Sequence, residues 1–358
     1  MDIVTQGLAG AVLAQSFSKK SEVRAAMLVG FMAGLLADID AIFTQSNADP
    51  LFQLEFHRHF THSVFFIPVG GLIAALLLWP LAKRYLPFKR ILLFTTAGYG
   101  TSGVIDACTS YGTYLLWPIS DERISWNIIS ILDPVFSFAL ILAITYAVLK
   151  QVPQYAMAGV SVAVLYLSFG FYQHERAEEM ALELAKVRGH EIERIEIKPT
   201  IANLALWRSI YEADGHFHVD AFRPAMISDA RIYQGESVKR FDLVDLPGLK
   251  PDSVMAGDIK RFDYFSDGYI ALSANVLGDI RYSMVPNSTK PIWGIELDLM
   301  AQDQHTPFNQ YHDASEQSQN LFLAMVMGDK LHVASRNSTE IEKVSFLRSK
   351  ELDGELSF

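Results

Sequence analysis

Hydrophobic residues are distributed unevenly along the chain and divide it into an apolar N-terminal half and a more polar C-terminal half. Residues 1–173 consist mainly of long apolar runs separated by short polar loops, whereas residues 174–358 carry most of the charge. A helix needs about 20 apolar residues to cross a bilayer. The candidate spans are residues 27–43, 64–81, 91–108, 131–149 and 155–172.

The stretch 3–17 is shorter and rich in Gly and Ala, which lets a helix approach its neighbours closely. We interpret it as a sixth helix, so that residues 1–173 form a helical membrane domain of about six helices. The alternative is a set of buried helices in a soluble protein. Several runs lack any charged face, which argues against that alternative.

Basic residues mark three of the predicted loops. These residues are Lys19, Lys20 and Arg24 in the first loop, Lys83, Arg84, Lys89 and Arg90 in the third, and Lys150 in the fifth. With six spans the three loops lie on the same side of the membrane, which the positive-inside rule makes cytoplasmic. The remaining loops and the domain after residue 173 would then face outward.

The C-terminal half, residues 174–358, reads as a separate water-soluble domain. Charged and apolar residues interleave over 174–189, which predicts a helix leaving the membrane. Alternating patterns over 216–222 and 269–275 predict β-strands. Pro247-Gly248, Pro251-Asp252 and Pro286-Asn287 predict turns between strands. We therefore expect an α+β domain that is mostly β.

Composition narrows the functional classes. Half of the residues are hydrophobic and 20% are charged, and the net charge of −10 argues against non-specific nucleic-acid binding. The single cysteine, Cys108, excludes an internal disulfide and a zinc cluster built from cysteines.

Acidic and imidazole side chains gather at the predicted outward face of the membrane domain. They are Asp38 and Asp40 at the end of the second span, His57, His59 and His62 before the third, Asp106 at the end of the fourth and Asp133 at the start of the fifth. Such groups are costly to bury beside a bilayer unless they pair or bind a cation. Nitrogen and oxygen donors suit zinc first, with manganese and magnesium as alternatives.

Each of these signals has a plainer interpretation when it is taken alone. Asp38 and Asp40 could be solvated residues at a helix end, and the spacing from His57 to His62 matches neither a helical pair nor a zinc-protease motif. His216 and His218 share one face of a predicted strand and could hold a metal, although a half-exposed strand is the favoured explanation of the pattern. The convergence on one membrane face is what favours a metal site.

Several motifs in residues 1–148 resemble the YdjM-like family of inner-membrane, metal-dependent hydrolases. They are Met1-Asp2-x-x-Thr5-Gln6, Ala37-Asp38-Ile39-Asp40, His57-Arg58-x-Phe60-Thr61-His62-Ser63, Asp106-Ala107-Cys108-Thr109-Ser110-Tyr111-Gly112-Thr113, Leu116-Trp117-Pro118-Ile119-Ser120-Asp121 and Leu132-Asp133-Pro134. The resemblance implies a helical, multi-pass membrane domain in the bacterial inner membrane, and the outward orientation predicted from the basic loops then makes the C-terminal domain periplasmic. It further implies a hydrolase that uses a divalent metal, and more loosely a similarity to zinc-dependent phospholipase C and nuclease folds.

Carried over to this chain, the resemblance implies a set of site residues. The metal ligands would be Asp38, Asp40, His57, His62 and Asp106, and the catalytic groups Asp38, Asp40, Arg58 and Asp106. Arg58 would contact an anionic group, while Thr61, Ser63 and Thr109 would support the ligands. The implied substrate is a phosphoester of a lipid or envelope precursor.

Two positions depart from the family pattern, because Gln6 and Ser102 stand where many members have histidine. Ser102 cannot replace an imidazole as a zinc ligand, so the chain could hold fewer metals or lack activity. These departures favour the main alternative, a non-catalytic membrane scaffold that binds an envelope partner. A transporter is less favoured, because no charged residue falls at mid-bilayer.

Overall fold

A computed structural model describes residues 1–40, 49–225, 229–311 and 315–330 of the chain. It separates into two compact units. The first comprises Met1–Tyr172 together with Ile201–Leu204, and the second comprises Gln173–Thr200 together with Ala205–Phe358.

The first unit is helical. Its helices, with α7 continuing into the residues of the second unit, are α1 (Ile3–Ser16), α2 (Val23–Leu35), α3 (Phe52–Phe56), α4 (Ile67–Ala82), α5 (Phe88–Ala107), α6 (Pro134–Lys150) and α7 (Gln154–Arg188). Four short 3-10 turns, Lys20–Glu22, Leu36–Ile39, Phe60–His62 and Val64–Phe66, connect them. The predicted helical N-terminal region is confirmed. Residues 41–43 of the predicted span 27–43 lie outside the described residues.

Two helices among the described residues are long and apolar enough to cross a membrane, Val64–Ala82 and Gln154–Arg188. The apolar helix α6 is shorter, with 17 residues. At 1.5 Å per residue, the 14 residues of α1 extend about 21 Å, which is less than a hydrocarbon core of about 30 Å. The expected total of about six spans is therefore not confirmed.

One continuous helix replaces two predicted segments at the C-terminal end of the apolar half. The last predicted span and the charged helix over 174–189 form the 35-residue helix α7. From Gln173 onward the helix surface becomes polar and charged. The backbone remains helical there, because residues 154–188 contain no proline.

Glycines allow α1, α2 and α5 to pack with their backbones in direct contact. A Cβ on Gly10 would lie 2.5 Å from the carbonyl oxygen of Gly30, and one on Gly98 would overlap the same oxygen. Small residues are typical of such contacts between membrane helices. The contacts hold together the helices whose ends carry Asp38 and Asp106.

The segment between α5 and α6 folds back over the start of α4. Thr113 and Ile124 form an isolated antiparallel bridge, with backbone hydrogen bonds of 3.0 and 2.9 Å. The amide of Val64 donates to the carbonyl of Leu115 at 3.0 Å. Residues 113–124 are thereby fastened to the stretch that contains the predicted histidines.

The second unit contains two antiparallel sheets. The first consists of β1 (Arg194–Pro199), β2 (Trp207–Ala213), β3 (His216–Arg223), β4 (Arg231–Tyr233) and β5 (Ser237–Lys239), in the order β1-β2-β3-β4 with β5 also paired to β3. The second has the order β6 (Ile270–Ser273), β7 (Val276–Asp279), β8 (Trp293–Glu296) and β9 (Phe308–Gln310). The second unit also contains helices α8 (Val254–Phe265) and α9 (Glu316–Met327) and a 3-10 turn at Leu243–Asp245.

These elements confirm a β-rich C-terminal half. The predicted strands 216–222 and 269–275 correspond to β3 and β6, and the three predicted proline turns are present. A two-residue turn, Asp214-Gly215, joins β2 to β3 with positive φ angles of 51° and 67°. Such angles are required by the hairpin turn that suits strand twist, and glycine adopts them at no steric cost.

Candidate functional site

Three separate parts of the first unit bring the predicted site residues together. Asp38 lies in the 3-10 turn that follows α2, and Asp40 ends that turn. His57 ends α3, and His62 lies in the 3-10 turn Phe60–His62. Asp106 belongs to the last turn of α5.

His62 stands between two carboxylates. Its Nε2 lies 3.1 Å from Oδ1 of Asp38 and 3.1 Å from Oδ2 of Asp106, and the residue is 2% exposed. Burial by itself would lower the pKa of His62, but its hydrogen bonds with Asp106 and Asp38 outweigh burial and raise that pKa to about 9. Without a cation the imidazole is therefore held in its protonated form at neutral pH.

Asp40 has a different set of partners. Its Oδ1 lies 3.2 Å from Nδ1 of His57, and its Oδ2 accepts hydrogen bonds of 2.9 Å from the Arg58 amide and from the Thr61 hydroxyl. The Thr61 hydroxyl also lies 3.0 Å from Nδ1 of His62. Thr61 thus links the Asp40 carboxylate to the His62 imidazole.

Asp106 is fully buried and is surrounded by donors. The amino group of Met1 contacts its Oδ1, Nε2 of Gln6 donates to its Oδ2 at 3.0 Å, and Nε of Arg58 lies 3.1 Å from the same oxygen. The contacts of Met1 and Gln6 were not predicted. In the sequence, both residues belong to the motif Met1-Asp2-x-x-Thr5-Gln6, which carries the family resemblance but does not indicate contact with Asp106.

Within the first unit, two groups of described side chains have the geometry to hold a metal ion. In each group, Asp38–His62–Asp106 and Asp38–Asp40–His57, one possible ligand atom per residue lies within 4.8 Å of the others. Asp38 belongs to both groups. All five predicted ligands are therefore close together.

The other predicted residues lie around these groups in supporting positions. The hydroxyl of Thr109 donates to the main-chain oxygen of Asp106 at 2.8 Å. Ser63 caps the turn Val64–Phe66, because its Oγ accepts from the Phe65 amide at 3.1 Å, and its hydroxyl also donates to the carbonyl of Trp117.

Three polar residues near the site in the sequence have other roles. Ser102 donates to the carbonyl of Gly34 at 3.0 Å and so joins α5 to α2. The ring of His59 packs 4.7 Å from that of Tyr114. Asp133 caps α6 through a 2.9 Å hydrogen bond from the Phe136 amide. None of the three belongs to the metal-compatible groups of the described residues.

Part of the charge in the cluster is balanced without a cation. The Asp106 carboxylate contacts the Arg58 guanidinium and a protonated His62, and the same imidazole contacts Asp38. Burial lowers the pKa of the Met1 amino group, which weakens its contribution as a cation. A protonated imidazole has no lone pair to offer a metal, so a cation can bind only when His62 loses its proton. The site therefore has two electrostatically reasonable states, one with a proton and one with a cation.

A comparison with protein families identifies the first unit. Residues 1–177 match the model of the YdjM inner membrane protein. This part of the chain belongs to the YdjM family. The matched residues include every residue of the site. The family resemblance predicted from the motifs is confirmed, and the family is one of inner-membrane proteins.

No curated protein and no solved structure matches the chain. The YdjM match ends shortly after the boundary of the first unit, which reaches Tyr172.

Proposed function

We propose that this YdjM family member is a membrane-bound, metal-dependent hydrolase whose Asp/His cluster holds a divalent cation. The observation that carries the proposal is the position of His62, whose Nε2 lies 3.1 Å from both Asp38 and Asp106. Residues far apart in the chain thus offer nitrogen and oxygen donors at one buried point. Zinc suits this mixture best, with manganese and magnesium as alternatives.

The donor chemistry of the surrounding residues fits a cation. Carboxylates and imidazoles are standard ligands of divalent metals. The carbonyl oxygen Oε1 of Gln6 is buried and has no hydrogen-bond partner among the described residues, although the amide nitrogen of the same side chain bonds Asp106. A buried acceptor without a donor is costly, and a cation beside Asp106 would satisfy it.

A bound cation would polarise a phosphoryl or carbonyl oxygen of the substrate and lower the pKa of a water molecule. Among the three aspartates, Asp38 suits the role of general base best. Asp106 is fully buried and Asp40 is 2% exposed, and both already accept several hydrogen bonds. The side chain of Asp38 is 10% exposed and can receive a proton from a molecule that enters the site.

The directions of the helices support one arrangement in the membrane. Helix α2 follows the basic residues Lys19 and Lys20 and ends before Asp38, whereas α4 starts after His62 and ends before Lys83. The cluster and the basic loops thus stand at opposite ends of these helices. By the positive-inside rule, we propose a multi-pass topology with the cluster and residues 174–358 on the periplasmic side.

A location at the membrane surface suits a substrate that stays in the bilayer. We propose a phosphoester of a lipid or envelope precursor as the substrate class and the lipid bilayer as the protein's surroundings, with no role for nucleic acid. The net charge of −10 disfavours binding of polyanions such as nucleic acids. A phosphoester substrate would therefore have to be bound by positive groups at the site itself.

Elemental analysis of the purified full chain tests the proposal. We expect wild-type protein to contain at least one divalent metal per chain, and His62→Ala and Asp38→Asn to lose it. His59→Ala is the matched control, because His59 lies three residues from His62 but belongs to neither metal-compatible group. Metal-free wild-type protein after purification without chelators, or equal metal content in all variants, would refute the proposal.

The rival function is a non-catalytic membrane scaffold, and one observation favours it. Arg58 and a protonated His62 offset two of the three aspartate charges without a metal. If the cluster serves only this purpose, His62→Ala should lower thermal stability while wild-type protein binds no metal even after incubation with zinc. The same elemental analysis therefore separates the two functions.

A further inference from the structure

Arg123 is held beside the cluster by a short piece of regular structure. Its neighbour Ile124 pairs with Thr113 through two backbone hydrogen bonds of 3.0 and 2.9 Å. This bridge places the Arg123 guanidinium over the ring of Tyr111, with its Cζ 4.0 Å from the ring centre. Tyr114 lies nearby, at 5.9 Å. This cation–π contact holds the guanidinium against the Tyr111 ring.

The donors of this guanidinium lack acceptors. Nε and Nη2 of Arg123 are buried atoms with no hydrogen-bond partner in the part of the chain that the structure describes. The side chain as a whole is partly exposed, so a ligand can approach it. A buried cationic donor without an acceptor is costly, which points to an anion that supplies the missing oxygens.

Arg58, the residue that the family resemblance links to an anionic group, is largely committed inside the protein. Its Nε lies 3.1 Å from Asp106, and its Nη2 donates to the carbonyl of Met1 at 3.1 Å. The contact of Nε with Asp106 is an ion pair only, and neither Nε nor Nη1 has a hydrogen-bond partner among the described residues. Its Cζ lies 5.2 Å from the centre of the Tyr111 ring, so the two guanidinium groups share this ring.

The same ring connects the arginines to the metal-compatible groups. The imidazole of His57 lies 6.0 Å from the Tyr111 ring, measured between ring centres. A tetrahedral oxyanion bound by Arg123 would therefore sit beside the Asp38–Asp40–His57 group. We infer that Arg123, with Tyr111 as its support and Nη1 of Arg58 as a second donor, binds a phosphoryl group of the substrate.

This inference rests on the proposed function and names the residues that would recognise the phosphoryl group of its phosphoester substrate. A planar guanidinium binds two oxygens of a phosphate at once, whereas the neutral carbonyl of a carboxylic ester or amide offers no matching charge. The phosphoryl group could belong to a lipid headgroup or to a soluble molecule, since both present the same oxygens.

Binding measurements on the full chain in neutral detergent test the inference. The probes are inorganic phosphate and phosphatidic acid in mixed micelles, each titrated in the presence of zinc. We expect Arg123→Gln to weaken phosphoryl binding by about tenfold or more, and Arg123→Lys to restore only part of it, because lysine keeps the charge but loses the planar fork. Tyr111→Leu should also weaken binding, whereas Tyr111→Phe should retain it.

Arg84→Gln is the matched control, because it removes the same charge from an exposed position in the loop between α4 and α5. Equal affinity in wild type and Arg123→Gln, or an equal loss in Arg84→Gln, would overturn the inference. Tight binding of phosphatidic acid alone would assign the phosphoryl group to a lipid, and equal binding of both probes would assign it to a soluble ester.

Metal analysis of the same samples keeps the two proposals apart. We expect Arg123→Gln to retain the wild-type metal content, since Arg123 belongs to neither metal-compatible group. If the protein contains metal but Arg123→Gln binds the phosphoryl probes as tightly as wild type, this inference is wrong and the proposed function stands. Metal-free wild-type protein would end the proposed function instead, while phosphoryl binding that still depends on Arg123 would mark an anion site without hydrolysis.

Discussion

Gly103 on α5 lies directly against the backbone of His62. A Cβ at position 103 would overlap the His62 carbonyl oxygen, which is part of the main chain and cannot rotate away. This contact joins the turn that carries His62 to the helix that carries Asp106. It allows the 3.1 Å approach between His62 Nε2 and Asp106 Oδ2.

Gly103→Ala should therefore damage both the fold and the site. We expect a loss of about 1–3 kcal/mol in stability, because an added methyl group must displace backbone, together with reduced metal content. Gly100→Ala in the same helix is the control, since its Cβ would lie 3.4 Å from the Ile67 side chain and alanine favours helix. Thermal unfolding in detergent and elemental analysis measure both effects, and equal behaviour of the two variants would contradict this account.

Thr61 is expected to control metal affinity without being a ligand. Its hydroxyl lies 2.9 Å from Asp40 and 3.0 Å from His62, so it orients both side chains. Thr61→Val keeps the shape but removes these bonds, and we expect metal affinity to fall about 10- to 100-fold. Competition with a chromophoric chelator would measure the change.

Thr101→Val serves as the control for Thr61→Val, because the Thr101 hydroxyl bonds only the Gly98 carbonyl, at 2.8 Å, among the contacts described. It should retain wild-type affinity. If Thr61→Val binds metal as tightly as wild type, the hydroxyl has no role in orienting the ligands.

The second unit should lose stability in mild acid. Burial and the proximity of His190 and Arg188 lower the pKa of His218 to about 4, and the His218 ring stacks on Tyr211 at 5.0 Å. Asp220 opposes this shift and His216 adds to it. Between these two pKa values the His218 imidazole binds a proton in the unfolded chain but not in the folded chain. The contribution of His218 to stability is therefore complete above the unfolded pKa of about 6.5 and is lost as the pH falls toward 4.

Hydrogen exchange of β2 and β3 in the full chain, measured between pH 7 and pH 4, would follow this loss. His218→Phe keeps an aromatic ring on Tyr211 and should flatten the acid dependence. His216→Phe, on the exposed end of the same strand, should keep most of it. An unchanged acid dependence in His218→Phe would show that other groups are responsible.

Labelling with a membrane-impermeant thiol reagent tests the proposed topology. The only native cysteine, Cys108, is 3% exposed, so wild-type protein should remain unlabelled in intact bacterial cells. Asp121→Cys and Asp298→Cys, at exposed positions, should react in intact cells. Lys89→Cys should react only after the cells are permeabilised, and the opposite pattern would place the cluster on the cytoplasmic side.

Local pattern predicted the longer helices of the first unit and two strands of the second. The apolar runs correspond to helices of the first unit, and the alternating stretches 216–222 and 269–275 correspond to β3 and β6. Both signals depend only on the side-chain period of a helix or strand. The period did not reveal where helices end, because α7 runs through the change from apolar to charged residues.

The sequence by itself determined the type of each half, the YdjM resemblance and the residue types available for chemistry near one end of the helices. Only the tertiary structure decided that Asp106 is held by Met1 and Gln6, that Ser102 serves helix packing, and that Arg123 keeps unpaired donors beside Tyr111. Periodicity reports which face of an element is buried. Contacts between residues far apart depend on how closely whole helices approach, and here that distance is set by glycines such as Gly103 whose partners no local pattern reveals.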